Sequence, residues 1–193
     1  MPDPKKPRWK KILREGASFA MFITASFAAR SSLADHYVVP TGSMIPTVAI
    51  GDRVLVNKLA YGARVPFLDW YAVRGSDPRR GDVVVLASPE NGVTLLKRVV
   101  AVPGDQVEVH EGRVFIAGEL QDESSHALGM ERGGGPDFGP ITLGRDEFLV
   151  LGDHRGDSAD GRYFGPVMRD AIKGRAEAVF RHEGRFAWRP LQR

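Results

Sequence analysis

Short apolar runs separated by turn-forming residues make up most of the chain after about residue 35. Runs rich in Val, Ile and Leu occupy residues 53–57, 83–87, 93–102, 107–110, 114–117 and 148–151. The pair Gly-Asp precedes or follows several of them, and both residue types favour turns. Short strands at this spacing are typical of all-β proteins. The sequence therefore predicts a mainly β fold with an antiparallel β-sheet body.

Two segments refine this picture. His110-Glu111-Gly112-Arg113 lies between two alternating runs and predicts a tight β-hairpin turn. Residues 121–140 are rich in glycine and charge and have no hydrophobic period. They are interpreted as a surface insertion in the sheet.

The N-terminal pattern is different, because a basic segment precedes a long apolar one. Residues 16–34 contain a single charged residue, Arg30, near their far end, where its long side chain can reach the headgroups. At about 1.5 Å per residue a helix of this length spans roughly 28 Å, close to the hydrocarbon core of a bilayer. We therefore expect a transmembrane helix at 16–34.

The basic residues set the expected orientation. They crowd the first 15 positions, at Lys5, Lys6, Arg8, Lys10, Lys11 and Arg14. By the positive-inside rule residues 1–15 stay cytoplasmic, and residues 35–193 form an extracytoplasmic domain anchored in the membrane. A cleaved secretory signal, with a loose small-x-small match at 26–28, and a buried amphipathic helix remain the alternatives.

Composition narrows the chemistry. The 193-residue chain is 42% hydrophobic and 26% charged, which is ordinary for one globular domain. Its net charge of +3 reflects mainly the N-terminal cluster, so we expect no nucleic-acid partner. It has no cysteine, which excludes disulfides and thiolate chemistry. A nucleophile must be an oxygen or an amine, and no metal or cofactor is predicted.

Ser43 is the first candidate for chemistry. It lies in Pro40-Thr41-Gly42-Ser43-Met44-Ile45-Pro46-Thr47, where two prolines and a glycine hold an irregular backbone around a small hydroxyl. Such a segment can present a nucleophile. Taken alone, it is a proline-bounded turn.

Lys97 is the second candidate. Strand alternation places it on one face of run 93–102 together with Val93, Leu95, Val99 and Ala101, whereas Arg98 faces the other side and suits an ion pair. Burial among apolar side chains lowers a lysine pKa and can make the amine a general base. The alternative is an edge-strand lysine that extends to solvent.

Residues 152–165 are dense in turn formers and charges directly after an apolar strand. Three interpretations stay open. They are a Ser43/His154/Asp153 triad, a calcium loop using Asp153, Asp157 and Asp160, and a solvated turn held by an Asp160–Arg162 ion pair.

Four ordered blocks, at 41–47, 51–58, 97–105 and 152–165, resemble bacterial type I signal peptidases, also called leader peptidases. The resemblance implies a β-rich serine endopeptidase on the periplasmic, or extracytoplasmic, side of the inner membrane. Such an enzyme removes signal peptides after a small-x-small motif through a serine–lysine dyad. By position, Ser43 matches the nucleophile and Lys97 the general base. The chain departs from the usual last block at His154, Gly156 and Asp157, and its one apolar stretch indicates a single-span form.

The resemblance also implies supporting roles. Thr41 matches a hydroxyl residue that helps the Ser43 amide to stabilise the oxyanion, and Ser158 matches a serine that positions the lysine amine. Asp160 and Arg162 match a supporting ion pair, and Asp153 and Arg98 match residues that order the site.

Three apolar residues flank the dyad in sequence and are expected to line a shallow pocket that admits alanine but excludes large side chains: Val39, Met44 and Leu96. The expected partners are preprotein signal peptides and the lipid bilayer. Two other functions stay open, namely a peptidase dedicated to one substrate, such as a conjugative pilin-processing relative, and a non-catalytic anchored β-domain that binds envelope proteins.

Overall fold

The computed structural model describes residues 9, 15–19, 21, 34–64, 71–130 and 133–191. Within these residues the regular secondary structure is almost entirely β-strand. The strands are β1 (Ala34–Val38), β2 (Arg53–Asn57), β3 (Gly62–Arg64), β4 (Tyr71–Arg74), β5 (Val83–Ala87), β6 (Thr94–Ala101), β7 (Gln106–His110), β8 (Arg113–Ile116), β9 (Glu119–Leu120), β10 (Phe138–Thr142), β11 (Glu147–Leu151), β12 (Val167–Met168), β13 (Ile172–His182) and β14 (Arg185–Pro190). Short helical turns occupy Lys58–Tyr61, Gly161–Phe164 and Arg169–Ala171.

Eight strands form the main sheet in the order β1-β2-β13-β5-β6-β11-β12, with β14 also paired to β13. All of these pairings are antiparallel. The long strand β13 pairs with β2 on one side and with β5 and then β14 on the other. It therefore joins the two halves of the sheet.

The remaining strands form two small sheets, β10-β7-β8-β9 and β3-β4. The β7–β8 hairpin turns at Glu111 and Gly112, whose φ angles are 49° and 76°. This left-handed backbone is the one that a tight hairpin turn requires, and it suits glycine. The predicted hairpin turn is therefore present.

Each apolar run singled out in the sequence forms a strand, and the predicted mainly β, antiparallel body is confirmed. The prediction missed β13, the longest strand. Its residues Ile172, Gly174, Ala176 and Ala178 are buried and alternate with less buried Lys173, Arg175 and Glu177. This period of two was the available signal, but small residues and charges hid it from a search for Val, Ile and Leu.

The predicted surface insertion at 121–140 is largely irregular in the structure, but its boundary differs. Residues 138–140 belong to β10, which pairs with β7. The glycine and proline in this strand made it look like a loop, since both are depleted in strands.

The predicted transmembrane helix at 16–34 falls mostly outside the described residues. Of its positions, 16–19 and 21 are helical, and Ala34 already belongs to β1. None of the helices in the described ranges is both long enough and apolar enough to cross a membrane.

Buried side chains form separate cores on the two faces of the main sheet. One core includes Val39, Met44, Val54 and Val85, with Leu96 packed against it. Another, on the opposite face of β5 and β6, includes Val84, Leu86, Val99 and Phe148. A third lies between the main sheet and the four-stranded sheet and is built from residues such as Val107, Val114 and Leu149. Strand β6 thus has apolar neighbours on both faces.

Candidate active site

Ser43 lies in the turn between β1 and β2, packed against the first core. Backbone hydrogen bonds from Val39 N to Asp52 O (2.9 Å) and from Gly51 N to Val39 O (2.8 Å) close the base of this loop. Met44 is 1% exposed and packs in the first core, which holds the loop against the sheet. The small hydroxyl of Ser43 is held above this apolar core, at the partly open surface of the loop.

Lys97 reaches this serine from β6, a strand distant in sequence. Its Nζ lies 2.8 Å from Ser43 Oγ. The side chain is 3% exposed and lies across from Val84 of β5. Among the described residues, the Lys97 side chain makes this one hydrogen bond and no ion pair. The structure therefore brings the two predicted catalytic residues into contact.

Burial lowers the pKa of Lys97 from its ordinary value of 10.5 to about 8. Removing an ammonium group from water disfavours the charged form, which explains the direction. The carboxylates of Asp160 and Asp153 oppose this change, and the guanidinium of Arg162 adds to it. A substantial fraction of Lys97 is therefore neutral at mildly alkaline pH, as a general base requires.

Arg98 is as deeply buried as Lys97 but fully paired. Its guanidinium donates two hydrogen bonds of 2.8 Å to the carboxylate of Asp153, which is completely buried, and a third to Gly81 O. Thr47 Oγ1 also donates to Asp153, at 2.5 Å. These contacts join the Ser43 loop, β6 and the segment after β11.

Asp160 and Arg162 form a second buried ion pair beside the site. Arg162 donates to Asp160 through Nε and Nη2, both at 2.9 Å, and Gly152 N donates to the same carboxylate at 2.9 Å. Both side chains are fully buried. The pair fixes the backbone of Gly152, which lies directly against the Ser43 loop.

Gly152 and Ser158 pack tightly at this point. A Cβ on Gly152 would lie 2.6 Å from the Ser43 carbonyl oxygen and closer still to Ser158 Oγ, so only glycine fits. Ser158 Oγ is buried and has no hydrogen-bond partner among the described residues. His154 N donates to Ser43 O at 3.0 Å, which fixes the other side of the contact.

A cavity of about 210 Å³ opens beside the dyad. Its walls come from β1, the Ser43 loop, β2, β5 and the start of β6, and include Thr41, Ser43 and Lys97. The three residues expected to line an apolar pocket, Val39, Met44 and Leu96, are all in its wall.

One important residue of this region was missed by the sequence interpretation. Arg155 is 1% exposed and donates to the Glu123 carboxylate at 2.8 and 2.5 Å, to Gly112 O and to Gly152 O. Burial raises the pKa of Glu123, but hydrogen bonds from His126 and Arg155 outweigh that effect and lower it. Arg155 thus ties the insertion to the active-site segment. An arginine among turn residues gave no sign that it would be buried.

The competing chemistries for residues 152–165 lose their geometric basis. The Asp153 carboxylate accepts from Arg98 and Thr47, and among the described residues no hydrogen bond joins it to the His154 ring, although a triad requires one. Asp160 is likewise occupied by Arg162 and Gly152. Within the described ranges no group of three or more acidic or histidine side chains is placed to hold a metal ion.

Comparison with known proteins agrees with this geometry. Residues 12–181 match the family described as "Signal peptidase, peptidase S26". Signal peptidase I of Pseudomonas aeruginosa is 34% identical over 224 aligned residues, covering 93% of this chain and 77% of that protein. Signal peptidase I of Leptolyngbya laminosa is 31% identical over 190 residues, covering 93% and 85%.

A solved structure of a signal peptidase I from Enterococcus faecalis V583 aligns with a TM-score of 0.44 and 28% identity, covering 52% of this chain and 97% of that one. The family match spans most of the chain, and the relatives align along nearly its whole length. The predictions of the family and of a peptidase are confirmed, and this chain belongs to the signal peptidase family, peptidase S26.

Proposed function

We propose that this protein is a membrane-anchored serine endopeptidase that removes N-terminal signal peptides from translocated preproteins, with Ser43 as nucleophile and Lys97 as general base. The observation that carries the proposal is the 2.8 Å contact between Ser43 Oγ and the buried Lys97 Nζ. A hydroxyl needs an adjacent base to become nucleophilic, and a desolvated amine is one.

The reaction follows from this contact. Neutral Lys97 accepts the Ser43 proton as Ser43 Oγ attacks the scissile carbonyl carbon. The protonated amine then donates that proton to the leaving amine of the mature protein, and the signal peptide stays bound to Ser43 as an ester. Water, deprotonated by the same amine, hydrolyses the ester and frees Ser43.

Charge on the attacked carbonyl oxygen requires hydrogen-bond donors near Ser43. Within the described part of the chain, the Ser43 amide makes no backbone hydrogen bond, so it is free to donate to this oxygen. The Thr41 hydroxyl, on the wall of the same cavity, is the proposed second donor. Ser158, whose buried hydroxyl packs against Gly152, is proposed to orient the Lys97 amine.

The cavity supports a preference for small side chains. It is mostly apolar, and Val39, Met44 and Leu96 narrow it beside Ser43. Apolar walls of this kind suit the small apolar side chains, such as alanine, of the small-x-small motif.

The strands around the cavity support binding of the substrate in an extended form. Strand β6 pairs with β5 along 94–98, but with β11 only at 98–101. Residues 94–97 therefore keep one strand edge without a described partner, and this edge borders the cavity. An extended peptide can add to such an edge by main-chain hydrogen bonds.

The membrane anchor at 16–34 and the extracytoplasmic side of the catalytic domain remain part of the proposal. They rest on the sequence, where a basic segment precedes an apolar one. Ser43 follows the anchor by only a few residues, which suits a substrate that itself emerges from the membrane.

The test uses the full-length protein in lipid vesicles with several unrelated preproteins. Ser43→Ala and Lys97→Ala are each expected to abolish cleavage, while the control variants Ser76→Ala and Lys173→Ala retain it. Appreciable cleavage by Lys97→Ala with an unchanged melting temperature would contradict the dyad. Processing of one preprotein alone would indicate a dedicated maturation peptidase.

A penem that acylates serine separates an enzyme from a non-catalytic binding domain. Ser43 is expected to be the modified residue, identified by mass spectrometry of the peptide that contains it. Failure of a folded protein to react would support the binding domain instead.

A further inference from the structure

The loop that carries Ser43 is closed on itself. Val39 N donates to Asp52 O at its base, and Val48 N donates to Met44 O within it, each at 2.9 Å. These bonds fix the shape of the loop. They do not fix its distance from β6, the strand that contributes the base.

The Thr47 hydroxyl supplies a link between the two. Thr47 Oγ1 donates to Asp153 at 2.5 Å and accepts from Arg98 Nη2 at 3.3 Å. Arg98 is the neighbour of Lys97 on β6, and Thr47 follows Ser43 by one turn of the loop. The contacts therefore form a ring that runs from Ser43 along the loop to Thr47, across to Arg98, along β6 to Lys97, and back to Ser43.

A separate contact, from Arg189, holds the Thr47 main chain. Arg189 of β14 donates through Nη2 to Thr47 O at 2.9 Å, and the same nitrogen lies 3.3 Å from Asp52 Oδ2. Asp52 is completely buried and also contacts His182 Nδ1 at 2.5 Å. Thr47 is thus bound at its hydroxyl by the buried Arg98–Asp153 pair and at its carbonyl by Arg189, whose side chain is about half exposed.

We propose that Thr47 is a positioning residue for the peptidase reaction, whose hydroxyl sets the distance between the Ser43 loop and Lys97. The inference rests on the proposed function of the dyad. Thr47 itself touches neither the attacking oxygen nor the cavity wall. Its effect is therefore on the geometry of proton transfer, where a displacement of about 1 Å can lower the rate about 100-fold.

The test compares Thr47→Val with Thr47→Ser in the full-length protein in vesicles. Valine keeps the shape of the side chain without the hydroxyl, and serine keeps the hydroxyl. The concentration of active sites is measured by end-point acylation with the penem, so that loss of folded protein is not counted as loss of rate. We expect kcat per active site to fall about 30-fold in Thr47→Val with KM within about twofold, and Thr47→Ser to restore most of the rate.

Unchanged kcat per active site in Thr47→Val would overturn the inference, because Thr47 would then contribute only to stability. If Thr47→Val does not fold, Arg189→Met takes its place, with Arg175→Met as the control on the adjacent strand. About threefold lower kcat at unchanged KM is expected for Arg189→Met, since it removes the contacts with the Thr47 carbonyl and Asp52 but leaves those of the Thr47 hydroxyl. Equal rates in these two variants would also overturn the inference.

Ser43→Ala, measured in parallel, separates the two hypotheses. An inactive Ser43→Ala with a fully active Thr47→Val refutes the positioning role alone. An active Ser43→Ala refutes the proposed function itself.

Discussion

Lys97 and Arg98 are neighbours on β6, and both are almost completely buried, with 3% and 2% of their surface exposed. Their surroundings differ. Lys97 lies across from Val84 and has Ser43 as its one described hydrogen-bond partner, whereas Arg98 has the Asp153 carboxylate, Thr47 and Gly81. One strand therefore carries two buried cationic side chains in two unlike environments.

The difference shows what burial does to a charge. Without a paired carboxylate, desolvation lowers the pKa of Lys97 to about 8, so that it can release its proton. A guanidinium stays charged at every accessible pH and must be paired when buried. The face with Lys97 can thus perform proton transfer, and the face with Arg98 holds the structure together.

The largest effect on the rate of cleavage is expected from a substitution of the base at position 97. Lys97→Arg keeps a cation but removes the base, because its pKa is too high to release a proton. We expect cleavage to fall about 10⁴-fold, which corresponds to about 5 kcal/mol of activation free energy. The measurement is single-turnover cleavage of a preprotein. A rate within tenfold of the original enzyme would mean that Lys97 is not the base.

The second effect is on the free energy of unfolding, and it comes from Arg98 on the other face of β6. Arg98→Met leaves the Asp153 carboxylate buried without its cation, and loss of one partner of a buried pair costs about 3–5 kcal/mol. The free energy of unfolding, measured by urea denaturation, is expected to fall by that amount. Lys97→Met, as the matched control, should leave it unchanged or raise it, since it removes an unpaired buried amine.

The pH dependence is smaller and distinguishes the two faces without a mutation. Only the neutral amine accepts a proton, and the pKa of Lys97 in the free enzyme is about 8, so kcat/KM should rise with pH and reach half its maximum near pH 8. At pH 7 about one tenth of the maximal rate is expected. A flat profile down to pH 5 would be incompatible with a lysine base.

The smallest effect is expected at an exposed ion pair, which serves as a reference for the buried Arg98–Asp153 pair. Asp35 and Lys58 form an ion pair of 3.0 Å with side chains 41% and 26% exposed. Asp35→Asn is expected to change the free energy of unfolding by less than about 1 kcal/mol, because solvent screens exposed pairs. A change as large as that in Arg98→Met would show that burial is not what separates these pairs.

The sequence anticipated much of the fold and the main candidates of the site. The apolar runs at 53–57 and 83–87 coincide with β2 and β5, and the hairpin turn lies at Glu111 and Gly112. Strand alternation predicts that Lys97 and Arg98 face opposite sides of β6, and their cross-strand neighbours Val84 and Val83 belong to different cores. These features are local, since they depend on side-chain period and turn residues that can be read within a few positions.

Strand β13 and the buried Arg155 were missed for related reasons. Small residues such as Gly174 and Ala176 fill the core side of β13, because the opposing strands leave little space there. Arg155 is buried only because Glu123, from the irregular insertion, folds back onto it. Neither condition is visible in the residues next to them in the chain.

The residues alone are enough to predict a small hydroxyl in a proline-bounded loop, and a lysine and an arginine on opposite faces of one apolar strand. The 2.8 Å contact between Ser43 Oγ and Lys97 Nζ, and the link that Thr47, Asp153 and Arg98 form beside it, depend on the folded arrangement. Period and turn chemistry fix the direction of a side chain relative to its own strand. What that side chain meets depends on which strands pair and how their loops pack, and here those partners come from positions far apart in the chain.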